Sequence, residues 1–251
     1  MRANTPMPEI LERTDFLKGA AAGFTTRRGG VSSGPYASLN LGFHTGDDPA
    51  KVRQNRAILA ASLGAEPVYM RQIHSSRVIA VDAPLKEEPE CDGLVTATPG
   101  LPLAVMTADC LPLLLCAEDG RACAAVHCGW RGAAGGIVKA AVEKMREITP
   151  APLRAFMGPC IGPESFEVGP EVREAFSSLR GSGEAFITAR GDRLRCSLPK
   201  LAALALLRCG AAPDAVRWCG EDTYASPERF FSYRREHVTG RMVSVIALNP
   251  R

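Results

Sequence analysis

Three short apolar runs constrain the fold of this chain more than any other feature of its sequence. Leu101–Thr107, Leu111–Cys116 and Ala122–His127 are rich in aliphatic residues and are separated by Pro, Asp and Gly. Runs of this length, bounded by turn residues, are typical of strands that are buried on both faces. The pattern therefore predicts three buried strands in a mixed sheet.

Helices are predicted on either side of these strands. The clearest covers Pro49–Leu63, because Asp48 can cap its first turn, proline suits that turn, and Gly64 ends it. Apolar residues at helical spacing predict a second helix from about Gly135 to Ile148, following a glycine turn, and a third near Pro199–Cys209.

Two further segments are predicted to be strands. Val68–His74 alternates in polarity, and Met242–Leu248 is an apolar run near the end of the sequence. Strands and helices do not follow a strict βαβ rhythm. The predicted class is therefore α+β, or mixed α/β, in a single compact domain with mixed β-sheets flanked by helices.

Composition excludes several classes of protein. The chain has 251 residues, of which 46% are hydrophobic and 23% charged, as in an ordinary folded protein. A formal net charge of +3 does not indicate a nucleic-acid partner. No apolar stretch approaches the roughly 18 residues needed to cross a membrane, and the first residues lack a signal peptide. We expect a cytoplasmic protein that binds neither nucleic acid nor membranes; the sequence does not indicate its oligomeric state.

The nine cysteines are odd in number and contain no C-x-x-C pair. This pattern disfavours a disulfide framework, a zinc ribbon and a thioredoxin-type redox motif. We expect reduced thiols, so any metal site must use ligands that are far apart in sequence.

Three predicted strands end or begin with a side chain that can bind a metal, namely His74, Cys110 and His127. Their wide separation suits ligands brought together by neighbouring strands, and Asp109 and Pro112 predict a bend that aims Cys110 out of the sheet. Two imidazoles and one thiolate favour zinc or copper, and three protein ligands are typical of a catalytic zinc site.

Other interpretations of the same residues stay open. A lone histidine is more often a hydrogen-bonded core residue, and a strand cysteine is usually a small hydrophobe. A metal-free Cys110 thiolate activated by His127 or His74 would be a nucleophile for acyl transfer. A zinc-stabilised binding module would need a fourth protein ligand, such as Cys128 or His44. Cys128 is expected to face away from His127 on a strand.

Arg131 lies in a glycine-rich segment, Gly129–Gly136, at a predicted helix start. Backbone N–H groups and an arginine there could hold phosphate, although a plain turn with a solvated arginine explains the same pattern.

Six motifs, taken together, resemble one known family. RQIHSSRV, TADCLPLLL, AAVHCGWRG, GPCIGPESFEVG, FFSYRREHVTGR and TTRRGGVSSGPYASLNLG occur in the family's order between Phe24 and Leu248. They are similar to the laccase-domain, YfiH-like family, long named polyphenol oxidases and also described as purine nucleoside phosphorylases. The resemblance implies a domain over 24–251 after an N-terminal segment, 1–23.

The family's properties follow as expectations. The resemblance implies an α/β fold of mixed sheets and a Zn²⁺ ion, with Cu²⁺ as the alternative, held by His74, Cys110 and His127 as metal ligands and catalytic residues. It implies phosphorolysis of adenosine, inosine, guanosine and methylthioadenosine, with adenosine deamination as a companion activity. Arg131 then acquires a phosphate-binding task.

Motif positions also carry over to Asn40 and Asp92, as residues that bind substrate or orient the histidines. His44 is either close to the site or an ordinary loop histidine. Phenol oxidation by copper, as the older family name implies, is disfavoured because a multicopper enzyme needs many more than 4 histidines.

Overall fold

The structure, a computed structural model, describes residues 10–250 of the chain. Its helices are α1 (Pro49–Leu63), α2 (Trp130–Ala134), α3 (Ile137–Arg146), α4 (Pro170–Ala175), α5 (Leu198–Arg208) and α6 (Tyr233–Glu236). Its strands are β1 (Leu11–Thr14), β2 (Ala20–Thr25), β3 (Val78–Ala80), β4 (Gly93–Thr96), β5 (Leu103–Thr107), β6 (Leu111–Ala117), β7 (Cys123–Cys128), β8 (Leu153–Met157), β9 (Glu167–Val168), β10 (Phe186–Thr188), β11 (Leu194–Cys196), β12 (Val216–Trp218) and β13 (Met242–Leu248).

These strands form three sheets. A mixed six-stranded sheet has the order β12-β8-β6-β7-β4-β3, with parallel pairs at both edges. An antiparallel four-stranded sheet has the order β1-β2-β13-β5, and a small antiparallel sheet has the order β10-β11-β9. The predicted mixed α/β class of a single domain is confirmed.

The two larger sheets pack face to face between helices. Because side chains alternate along a strand, Leu113 and Leu115 of β6 pack with α3 and α5, whereas Leu114 packs toward the four-stranded sheet. The far face of that second sheet, including Met106 of β5, packs with Leu59 of α1. The order of layers is therefore helices, sheet, sheet, helix, and the strands between are buried as the apolar runs predicted.

Several helices and strands lie where capping residues and apolar runs in the sequence predicted them. Helix α1 has the predicted bounds; the Asp48 side chain accepts the N–H of Ala50, and Gly64 ends the helix in a left-handed conformation. The three buried strands and the closing strand lie where they were predicted, with shifts of at most two residues for β5 and of one residue for β6 and β7.

The regular strand predicted over Val68–His74 was wrong. This segment forms only two isolated bridges, from Val68 to Leu103 of β5 and from Arg71 to Glu90, which lies before β4. Next to these bridges, the side-chain amide of Gln72 forms the hydrogen bonds that a neighbouring strand would form. It donates to the C=O of Met106 and accepts the N–H of Met106, at 2.8 Å each. The segment is extended, but it lacks a continuous backbone partner.

The second helix, predicted from about Gly135 to Ile148, is shorter in the structure, and the glycine-rich segment before it contains a helix of its own. Helix α2 begins directly after Gly129, and Gly136, in a left-handed conformation, separates it from α3. Of the four core residues predicted for this face, Ile137, Ala141 and Met145 are buried in α3, whereas Ile148 lies beyond the end of the helix and is half-buried.

Candidate metal centre

His74, Cys110 and His127 converge at one end of the six-stranded sheet. One ligand atom from each residue lies within 4.8 Å of the others. The three come from a turn, from the β5–β6 connection and from the end of β7. Both imidazoles therefore adjoin the same sulfur, and their ring centroids are 4.8 Å apart in an edge-to-face arrangement.

His127 is held by the carboxylate of Asp92. Its Nδ1 lies 2.8 Å from Oδ1 of Asp92, and the ring is 4% exposed. A carboxylate accepts hydrogen bonds, so this contact assigns the proton to Nδ1 and leaves Nε2 as the ligand atom. Burial lowers the pKa of His127, but the neighbouring Cys110 sulfur and Asp92 outweigh it and raise the pKa to about 9. The surroundings of Nε2 therefore favour a cation.

Asp92 also fixes the turn that carries His74. The fully buried carboxylate accepts backbone N–H groups from His74 at 2.9 Å and Ser75 at 2.7 Å, and the hydroxyl of Ser75 at 2.8 Å. Burial raises the pKa of Asp92, but hydrogen bonds from His127 and Ser75 bring it down to about 2. One ionised side chain thus sets the positions of both histidines.

His74 occupies a left-handed backbone conformation, with φ of 58°. Such a conformation is uncommon for a residue with a side chain, and the hydrogen bonds to Asp92 explain how it is maintained. Burial, followed by the neighbouring His127, lowers the pKa of His74. The lowered pKa favours the neutral form of this ring, which is the form that binds metal.

Cys110 projects from a bend centred on Asp109, whose φ is 95°. The Asp109 carboxylate accepts the hydroxyl of Thr223 and the backbone N–H of Arg234, each at 2.7 Å, and its carbonyl accepts the N–H of Ile161 at 2.9 Å. These contacts keep the bend in place. The sequence predicted such a bend, and the sulfur points out of the sheet toward the histidines.

The centre leaves no room for a side chain at residue 129. A Cβ atom on Gly129 would lie 3.1 Å from the Cys110 sulfur, 3.1 Å from His74 Nδ1 and 3.4 Å from His127 Cε1. Ligands of one tetrahedral zinc ion lie about 3.5 Å apart, so the spacing of this group requires only small side-chain rotations. The two imidazole nitrogens and the sulfur, together with the space that Gly129 leaves beside them, fit a zinc or copper ion.

The other predicted site residues lie in different environments. Arg131 is exposed at the rim, with its guanidinium 4.4 Å from the centroid of the Trp130 ring. Asn40 is fully buried away from the cavity, where its amide contacts Thr45 and Asp47 and accepts the backbone N–H of Arg241. The structure thus places Asp92 against the triad, Arg131 near it and Asn40 behind the cavity wall.

Two further positions were left open by the sequence. Cys128 is 1% exposed in the hydrophobic core on the opposite face of β7, and is not part of the ligand group. His44 lines the cavity beside the centre, where burial and then Arg241 lower its pKa. All nine cysteines are free thiols.

A cavity of about 970 Å³ opens beside the triad. Its lining includes aromatic and cationic side chains from outside the ligand group: Phe43, Phe166, Tyr233, Arg234 and Arg241. Three of them belong to the motif FFSYRREHVTGR, but nothing in the motif distinguishes an arginine facing a cavity from one on the surface. Across residues 10–250, no helix has the length and apolar character of a membrane span.

Comparisons with known proteins agree on one family. The family model for multi-copper polyphenol oxidoreductase laccase matches residues 21–249. "Purine nucleoside phosphorylase YfiH" of Shigella flexneri is 42% identical over 241 residues, which cover 95% of this chain and 98% of that protein. The crystal structure of a Neisseria meningitidis protein has a TM-score of 0.88 at 38% identity, and covers 96% of this chain and 100% of its own. YlmD from Geobacillus stearothermophilus has a TM-score of 0.87 at 31% identity, with 94% of each chain covered.

Proposed function

This chain belongs to the family of multi-copper polyphenol oxidoreductase laccases, and from that membership we propose that it is a metal-dependent purine nucleoside phosphorylase. Its proposed substrates are adenosine, inosine, guanosine and methylthioadenosine, together with phosphate, and its proposed side activity is adenosine deamination. The printed names of the relatives support phosphorolysis. The observation that carries the proposal is the convergence of His74, Cys110 and His127 beside a large cavity.

The proposed metal ligands and catalytic residues are His74, Cys110 and His127. Two imidazole nitrogens and one thiolate suit Zn²⁺, with Cu²⁺ as the alternative. When bound there, zinc would supply a Lewis acid and lower the pKa of water to about 7, the chemistry that deamination needs. Asp92 is a positioning residue in this proposal, since it sets the tautomer of His127 and the turn of His74.

In phosphorolysis an oxygen of hydrogen phosphate forms a bond to C1′ of the ribose. The C1′–N9 bond breaks, its electron pair stays on the purine, and the proton of hydrogen phosphate goes to the base. The products are the free base and ribose 1-phosphate. The chain's own residues must hold phosphate beneath the ribose, and Arg131 at the rim is a proposed substrate-binding residue for this task. Asn40 and Asp92 have their polar atoms engaged within the protein, so their location favours support of the site over substrate contact.

Features of the site disfavour the other interpretations. A metal-free cysteine nucleophile needs one imidazole beside its sulfur, whereas two adjoin Cys110. A structural zinc normally has four protein ligands, and within residues 10–250 the ligand group has three members. Cytoplasmic location and a domain over 24–251 remain part of the proposal.

The test is an assay of adenosine cleavage with and without phosphate, with products identified by chromatography. We expect adenine and ribose 1-phosphate only when phosphate is present, and loss of this activity in Cys110→Ala with the fold retained. Cys209→Ala, at another half-buried free thiol, is the matched control and should keep full activity. Full activity in Cys110→Ala would overturn the proposal, and release of inosine without phosphate would make deamination the main activity.

A further inference from the structure

The cavity beside the triad carries more positive than negative charge. Its lining includes four arginines, Arg71, Arg131, Arg234 and Arg241, and two carboxylates, Glu88 and Asp109. Glu88 is paired with Arg56 at 2.6 Å, Arg71 is paired with Glu90 at 2.5 Å, and Asp109 is engaged in the bend that carries Cys110. Among residues 10–250, Arg131, Arg234 and Arg241 of the lining then have no ion-pair partner. A concave site lined by one sign of charge attracts ligands of the opposite sign. The cavity is therefore suited to an anion.

Arg241 differs from the other arginines that are partly buried in this protein. Arg56 pairs with Glu88, Arg229 with Glu12 and Glu221, and Arg235 with Glu236. Within residues 10–250 no carboxylate lies within 4.0 Å of the Arg241 guanidinium, although the residue is only partly exposed. A buried charge without a partner is costly, so such groups usually have a counter-ion or bind one.

The hydrogen bonds of Arg241 leave one edge of its guanidinium open. Nη1 donates to the carbonyls of Thr239 at 3.1 Å and Gly240 at 2.9 Å. Nε and Nη2 donate to no acceptor among residues 10–250. This is the edge with which arginine binds carboxylate and phosphate through two parallel hydrogen bonds.

The backbone fixes the direction of this open edge. The N–H of Arg241 donates to Oδ1 of buried Asn40 at 2.9 Å, and its carbonyl accepts the N–H of Leu41 at 3.1 Å. The side-chain stem packs against Gly42, where a Cβ would lie 2.8 Å from Cγ of Arg241. Arg241 lines the same cavity as His74, Cys110 and His127.

We propose that Arg241 is the main phosphate-binding residue of this cavity, holding the oxyanion beside Cys110 and His127 through its Nε and Nη2 groups. This inference rests on the proposed function and deepens it, since it assigns the position of the second substrate. Arg131 is exposed and Arg234 donates from Nη1 to the carbonyl of Glu167, so both are secondary to Arg241. Inorganic phosphate and the phosphate of a nucleotide present the same tetrahedral group to such a site. We assign the site to inorganic phosphate and not to a nucleotide.

The first arm of the test uses the unmodified holoenzyme. Arginines are labelled with phenylglyoxal in the presence and absence of inorganic phosphate, and the labelled peptides are quantified by mass spectrometry. We expect phosphate to reduce labelling of Arg241 at least 5-fold and to leave exposed Arg195, which pairs with Glu164, unchanged. Equal labelling of Arg241 under both conditions overturns the inference, as does protection by adenosine 5′-monophosphate but not by phosphate.

The second arm measures the KM of both substrates in variants. Arg241→Gln should raise the KM for phosphate roughly 10- to 100-fold. Arg241→Lys should raise it less, because lysine keeps the positive charge but cannot donate two parallel hydrogen bonds. The KM for adenosine should change less than 3-fold. An unchanged phosphate KM, or a larger rise in Arg131→Gln, overturns the inference. If Arg241→Gln does not fold, the phosphate KM of Arg241→Lys and the phenylglyoxal labelling of the wild type test the inference instead.

The two arms separate the two proposals. Wild-type protein that does not cleave nucleosides with phosphate contradicts the proposed function, but the labelling still tests the phosphate site. Wild-type protein that cleaves them while Arg241→Gln keeps its phosphate KM contradicts only the inference.

Discussion

Oδ1 of Asp92 contacts Nδ1 of His127 at 2.8 Å, and the same oxygen accepts the backbone N–H of His74 at 2.9 Å. One buried carboxylate thus positions two of the three ligand residues and assigns the ring proton of one of them. The geometry of the centre depends on Asp92 as much as on the ligands themselves.

Asp92→Asn should lower metal affinity and activity together. The amide is uncharged and only one of its two polar atoms accepts hydrogen bonds. It therefore loses either the contacts of Oδ1 with His127 and His74 or the contacts of Oδ2 with Ser75. We expect zinc affinity to fall about 10- to 100-fold, measured by competition with a chromophoric chelator. Asp119→Asn is the control, because that carboxylate accepts a hydroxyl from Thr149 far from the centre in sequence and fold. Unchanged zinc affinity in Asp92→Asn would contradict this role.

Gly129→Ala should lower the metal content of the protein without unfolding it. Its φ of −65° suits alanine, but the added Cβ would lie 3.1 Å from both the sulfur and a histidine nitrogen. We expect metal content to fall by more than half while circular dichroism stays unchanged. Gly183→Ala is the matched control, since a Cβ there meets nothing within 4 Å. Full metal content in Gly129→Ala would contradict the claim that a Cβ at this position displaces the metal ligands.

Gln72→Ala should destabilise the fold. The substitution leaves the N–H and C=O of Met106 without the side-chain amide that now pairs with both. We expect a loss of about 1 to 3 kcal/mol in the free energy of unfolding, measured by urea denaturation. Gln54→Ala, at an exposed position of α1, should change it by less than about 0.5 kcal/mol. An equal effect of the two substitutions would contradict the interpretation.

Glu236 should make stability depend on pH in the acid range. Burial raises its pKa, but hydrogen bonds from Thr239, Arg235 and Arg27 outweigh it and hold the pKa below 4.5. The unfolded chain then binds the proton more readily, so the stabilisation is complete above about pH 4.5 and is lost as the pH falls below that value.

Glu236→Gln tests this linkage. We expect the variant to be less stable than wild type at pH 7 by about 1 to 2 kcal/mol, and the difference to shrink as the pH falls from 5 to 3. Glu164→Gln, at an exposed pair with Arg195, should show almost no difference at either pH. A difference that is constant with pH would contradict the assigned pKa.

The sequence predicted those features whose signals are local. Helix α1 carries its cap, its first-turn proline and its terminal glycine within 17 residues, from Asp48 to Gly64, so its bounds were predicted fully. The three proposed ligand residues were singled out because only a few histidines and cysteines lie at predicted strand ends, and the structure brings them together. Alternation over Val68–His74 predicted an extended chain, but alternation does not say whether a neighbouring backbone is present, and here Gln72 takes that place.

Contacts between distant residues could not be predicted in this way. Asp92 and His127 are separated by 35 positions, and Arg241 contacts Asn40 across 201. No periodicity connects such pairs, because they meet only after β4 and β7 pair and β13 closes the second sheet. The same limit explains why the cavity arginines could not be distinguished from surface charges.

His74, Cys110 and His127 together are proposed to hold one metal ion. The most direct measurement is elemental analysis of the purified wild-type protein beside Cys110→Ala and Cys209→Ala. We expect zinc or copper near one ion per chain in the wild type and in Cys209→Ala, and close to none in Cys110→Ala. One ion per chain retained by a folded Cys110→Ala protein would contradict it.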